Sequence, residues 1–136
     1  MTAKEYLQEI RRMDMKIDQM KKELKDIIRS RTDIAAVQTD KMPGPGVSGS
    51  FTKMSDKIID MQQEIEKEIE KLCHIRHKII SQMQQLKPEY TEVLFKRYAE
   101  YKTFERIAVD MNYSYRYIIN IHGVALREFE EKFLKN

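Results

Sequence analysis

Five apolar residues, Ile58, Ile65, Leu72, Ile79 and Leu86, recur at strict sevens along one stretch of this chain. Seven residues are close to two helical turns, so the line stays on one face only if a single helix runs from about Lys53 to Leu86. A companion line of Met54, Met61 and Ile75 is interrupted by Glu68 and Gln82, with Ile69 and Met83 one position later. The apolar seam therefore drifts around the helix, as in a bundle, and does not keep the register of a long two-stranded coil. A second set of sevens lies ahead of it: Ile10, Ile17 and Leu24 on one line, Tyr6, Met13, Met20 and Ile27 on the other. That set predicts a helix from about Thr2 to Arg31, about 45 Å long at 1.5 Å per residue. Helices of similar length joined by a loop lie antiparallel, so residues 1–86 are expected to form a coiled-coil-like helical hairpin. Two helices alone leave part of each stripe wet, and a symmetric second copy would cover it, which predicts a homodimer held by these helices.

Between the two periodic stretches the pattern breaks. Pro43, Gly44, Pro45, Gly46 and Gly49 interrupt helix, and residues 33–52 read as a flexible linker, favoured over a recognition loop because such mixtures behave as mobile connectors.

The composition agrees with extended helices: 41% of the 136 residues are hydrophobic, 35% are charged, and Trp is absent. That is light for one globular core and ordinary for helices with a narrow apolar seam. The formal charge is only +3, so nucleic-acid binding would have to come from local placement of cations, not from a bulk positive field. A single cysteine, Cys73, forbids an intrachain disulfide and points to a reducing compartment. With neither a long apolar run nor a secretion signal in MTAKEYLQEIRR, the expectation is a soluble protein of the cytoplasm with no membrane partner.

Chemistry-bearing motifs are scarce. Cys73, His74 and His77 lack the fourth ligand of a structural zinc set, and Glu64, Glu66, Glu68 and Glu70 form a solvated stripe with Lys67 and Lys71. No phosphate-cradling P-loop, dinucleotide fingerprint, nucleophile elbow or metalloprotease motif is present. An enzyme is not expected, nor a cofactor or a metal.

The remaining stretch carries the functional signal. Pro88 ends the second long helix and can open the next, Glu89 to Tyr101, with Tyr90, Val93, Leu94, Arg97 and Tyr98 at helical spacing. After it, Phe104, Ile107, Ala108 and Met111 form one short apolar set, and Ile118, Ile121, Ala125 and Phe129 a second. Asn112 suits the left-handed position that closes a helix, and Ser114 suits the cap that opens one. The expected fold class is thus all-α: the hairpin, then a three-helix helix-turn-helix domain over residues 87–136.

Glu105, Ile107-Ala108, Met111, Tyr113-Ser114, Ile118 and Ala125-Leu126 together resemble region 4 of sigma-70 type factors. The chain as a whole resembles the small phage regulators of late transcription, the RinA/ArpU-type activators, which place a helical segment ahead of a sigma-like domain. Asn112 stands where sigma-type domains often carry Gly, a change the turn tolerates. The resemblance implies a sequence-specific DNA-binding regulator, phage or prophage in origin, acting on double-stranded DNA in a bacterial host cell and touching its RNA polymerase.

With Ile118, Ile121 and Ala125 inward, the next helix presents Tyr115, Arg116, Ile119, Asn120 and Gly123 outward. Arg116 and Asn120 suit guanine and adenine edges because each offers two hydrogen bonds in one plane; Tyr115 and Ile119 follow as base contacts, and Gly123 would admit a groove wall. Lys102 and Thr103 at a helix start, with Arg97, Arg106 and Arg127, are the expected phosphate contacts, the three arginines having as their alternative a solvated face paired with Glu100, Glu105 or Glu128. His122 is expected to be half-buried against Tyr98 or Tyr101. Two other classes stay open on the sequence: a small terminase-like DNA-packaging subunit, and an adaptor that binds polymerase without DNA.

Overall fold

The computed structural model describes residues 1–39 and 47–135. Among them the chain is all-α, without a strand: α1 (Ala3–Thr39), α2 (Val47–Met83), α3 (Pro88–Leu94), α4 (Phe104–Met111) and α5 (Tyr115–Phe129). A π-helical turn, Phe95–Ala99, prolongs α3, and another, Glu130–Leu134, prolongs α5. Among the described residues no helix is long and apolar enough to cross a membrane.

Both long helices reach further than their heptads. α1 carries on to Thr39 and α2 begins at Val47, so the expected linker over 33–52 is helical at both its ends. An established helix gains a hydrogen bond for each residue added, which outweighs the roughly 1 kcal/mol cost of an isolated glycine such as Gly49. The Pro43 to Gly46 centre of that linker lies outside the described residues.

The chain divides into two compact units, and the division differs from the expected boundary at residue 86. One unit comprises residues 1–15 with 74–136, the other residues 16–73. The physical reason is that the first turns of α1 and the last turns of α2 bury their apolar residues together with the C-terminal helices. Ala3, Leu7, Ile10, Met13, Ile79 and Met83 are all buried, and the Tyr6 ring lies 5.7 Å from that of Phe129. Here the two long helices run antiparallel: Tyr6 donates to Gln82 Oε1 at 2.7 Å, and further along α1 Asp14 accepts from Arg76 at 2.6 Å. Thr91 Oγ1 donates to the carbonyl of Met83 at 2.6 Å, and Lys132 Nζ to that of Gln85 at 3.2 Å, so carbonyls at the end of α2 find partners.

In the unit of residues 16–73, Ile17 and Leu72 are buried, whereas Met20, Leu24, Ile27, Ile58, Ile65 and Ile69 are only half-buried. Ile28, Met54 and Met61 are exposed, and the side-chain oxygen of Gln62 is buried without a hydrogen-bond partner. The seam is therefore incompletely dry.

The C-terminal helices share a small core in which Val93, Ile107, Ala108, Ile118 and Ile121 are buried, with Tyr90, Phe104 and Met111 packed against it. Both short apolar sets read from the sequence face inward, Ala125 and Phe129 included.

Candidate nucleic-acid interface

The segment from Thr103 to Phe129 is built by its caps. Thr103, in extended backbone, accepts from the Arg106 N–H at 3.2 Å and opens α4. Asn112 takes the left-handed conformation, φ 62° and ψ 38°. Its N–H donates to Val109 and that of Tyr113 to Ala108, so two carbonyls at the end of α4 are satisfied by the paired reverse bonds of a Schellman closure. Ser114 accepts from the Tyr117 N–H at 3.1 Å and opens α5. A turn of Asn112, Tyr113 and Ser114 thus fixes where α5 starts and which of its faces meets α4.

On α5, Ile118, Ile121, Ala125 and Phe129 are buried. At 3.6 residues per turn, Arg116, Asn120, Gly123 and Arg127 form a stripe on the opposite side. Arg116, Asn120 and Arg127 are exposed, as is Tyr115, while Ile119 is half-buried. A Cβ built on Gly123 would meet nothing within 4 Å. No Asp or Glu occurs between Tyr115 and Arg127.

The cations near α4 are less free. Asp110 accepts from Lys102 Nζ at 2.9 Å and pairs with Arg106 Nε at 3.2 Å, and Glu100 lies 3.7 Å from Lys102. The hydrogen bond from Lys102, with the nearby cations, holds the Asp110 carboxyl below its ordinary range. Arg97 donates to the Lys102 carbonyl at 3.0 Å and lies 4.2 Å over the Phe104 ring. The structure thus brings Arg97, Lys102, Thr103 and Arg106 together around the start of α4, while Arg127 belongs to the α5 stripe. Asp110 is the residue the sequence reading passed over. Its i,i+4 spacing from Arg106 was the available signal.

The tyrosines divide in two. Tyr113 and Tyr117 have ring centroids 4.5 Å apart, and Tyr117 donates to Glu89 Oε1 at 2.7 Å, tying α5 to α3. That bond to a carboxylate, with partial desolvation, pushes the Tyr117 phenol up to about 12. Tyr115 is left facing solvent, 50% exposed. His122 points the other way, against Tyr98 as expected: their side chains are 2.7 Å apart at Oη and Nε2, and Phe104 meets the imidazole edge-on at 4.8 Å. Burial, then the charges of Arg97 and Lys4, lower its pKa to about 4, so it is neutral at physiological pH. His122 joins α5 to the turn Phe95–Ala99 that prolongs α3 and leaves the outward stripe to other residues.

No protein-family model, curated protein or solved structure matches this chain.

Proposed function

We propose that the chain is a sequence-specific DNA-binding regulator of transcription, a phage or prophage late-gene activator in type, that lays α5 in the major groove of double-stranded DNA. The observation that carries this reading is the outward stripe Arg116, Asn120, Gly123 and Arg127. It is free of acidic side chains, lies opposite the buried face, and starts at a capped turn. Arg116 and Asn120 read base edges with Tyr115 and Ile119 beside them, and Arg127 meets the backbone. Lys102, Thr103, Arg106 and Arg97 supply further phosphate contacts at the start of α4, the first two cations exchanging Asp110 for phosphate as they bind.

The long helices hold two copies together. Met54 and Met61, exposed at heptad spacing on α2, support that assignment because a second copy would remove them from water. Contact with bacterial RNA polymerase follows only from the sigma-like resemblance.

The test is selection of bound duplexes from a random pool, followed by anisotropy titrations with wild type and Arg116→Ala. A loss of preference at one base position supports the reading; equal affinity and equal preference remove Arg116 from it. The same oligomerising helices would suit a DNA-packaging subunit, and mass in solution separates the two: a dimer fits the regulator, a ring of many copies the packaging role.

A further inference from the structure

A cleft of about 340 Å³ opens between the first turns of α1 and the turn that prolongs α3, lined in part by Gln8, Arg11, Arg12, Arg97, Tyr98 and Tyr101. Its charge is not cancelled from within. Arg12 is paired with Glu9 at 3.0 Å. Asp14, also on α1, is already taken by Arg76 at 2.6 Å and by the hydroxyl of Tyr101. Arg11 rests 5.5 Å over the Tyr101 ring, and among the described residues neither it nor Arg97 has a carboxylate partner.

The groups are also held in place before any ligand arrives. Arg97 is fixed by the Lys102 carbonyl and the face of Phe104. Tyr101 sits at φ 59°, a left-handed conformation disfavoured for a non-glycine residue, and its bond to Asp14 holds the ring under Arg11. Guanidinium groups that are both unpaired and pre-positioned lose little side-chain freedom on binding, and their planar donors match the oxygens of a phosphate.

We propose that this cleft is a phosphate-binding site, in which Arg11, Arg12 and Arg97 receive the phosphate of a nucleic-acid backbone or of a free nucleotide. Its duplex form rests on the DNA-binding reading; its nucleotide form does not. Arg97 and Arg11, the latter held over Tyr101, meet the anion first, and Arg12, exposed on α1, joins them by exchanging Glu9 for the phosphate.

The experiment compares wild type, the double variants Arg11→Ala/Arg12→Ala and Arg11→Lys/Arg12→Lys, and Arg116→Ala as full-length chains. Helix content and melting temperature are checked first. DNA affinity is then measured across salt concentration, and binding of dAMP and of inorganic phosphate is followed by NMR titration. If duplex phosphates occupy the cleft, the alanine pair lowers the slope of log affinity against log salt by about 2, and the lysine pair restores it. If a free ester occupies it, the slope stays and wild-type dAMP binding is lost in the alanine pair. A slope unchanged together with dAMP binding absent or unaltered overturns the site. Should Arg116→Ala leave base preference intact while the alanine pair lowers the slope, the α5 reading fails and the cleft stands. The opposite pattern, with dAMP binding absent or unaltered in the alanine pair, removes the cleft alone.

Discussion

Gly123 provides the sharpest test of how α5 is used. It sits within a 15-residue helix, where glycine costs about 1 kcal/mol relative to alanine through backbone entropy. Nothing in the protein requires that loss, because an added Cβ would meet no heavy atom within 4 Å and the residue has no positive φ. Gly123→Ala should therefore stabilise the free protein by about 1 kcal/mol, raising the melting temperature by about 4 °C for a chain of this size. Bound to DNA, the same methyl group would stand between the helix backbone and the groove. An intrusion of that kind into a packed contact costs about 1–3 kcal/mol, roughly fivefold to a hundredfold in affinity. Calorimetry on the free protein and anisotropy on a selected duplex read the two effects separately. Higher stability with lower affinity and an unchanged salt slope is the expected pattern. Higher stability with full affinity would mean that no groove wall comes near Gly123, and a fall in stability would refute the open-space argument itself.

Three further outcomes follow. Asp110→Asn removes the carboxylate that holds Lys102 and Arg106, so DNA affinity should rise several-fold at low salt and the log–log salt slope should steepen by about 1–2; an unchanged slope shows that neither cation reaches phosphate. His122 binds its proton at about 4 in the folded state against 6.5 ordinarily, so the unfolded chain is protonated first, and the contribution present above pH 6.5 is lost as pH falls towards 4. That gap is worth at most about 3 kcal/mol, about 1–2 after allowance for partial exposure, and His122→Gln should flatten this part of a urea-midpoint profile relative to wild type. Asp14→Ala strips Arg76 and Tyr101 of a shared acceptor and should cost about 2 kcal/mol, with a double-mutant cycle against Arg76→Ala returning most of it as coupling; independent effects would mark the pair as solvated.

The elements themselves were readable because each was specified locally. Heptad spacing announced α1 and α2, Pro88 opened α3, and Asn112 and Ser114 marked the turn before α5 through side chains that bond their own backbone neighbourhood. The exposure of Arg116 and Asn120 followed from the inward period of Ile118, Ile121 and Ala125. What stayed hidden depends on pairings distant in sequence. Nothing in the first heptads says that Ala3, Leu7 and Ile10 are buried with the C-terminal helices, since the same pattern serves any partner helix. Nor does composition reveal that Arg11 comes to lie over Tyr101, or that the Asp14 carboxylate accepts from its hydroxyl. The ends of α1 and α2 were missed for another reason: propagation of an existing helix overrode the weak preferences of residues 33–39 and 47–52.

Because residues 1–15 belong to the same compact unit as residues 74–136, the two portions must meet although residues 16–73 separate them in the chain. During translation the opening turns of α1 emerge before the C-terminal helices and wait for them, so this unit matures only once those helices have been made. A fragment cut at Pro88 would keep the capped turn and lose the side chains of Leu7 and Ile10, two of the fully buried residues. Excision of the C-terminal helices would then yield a weakened remnant of this unit, not a free-standing module.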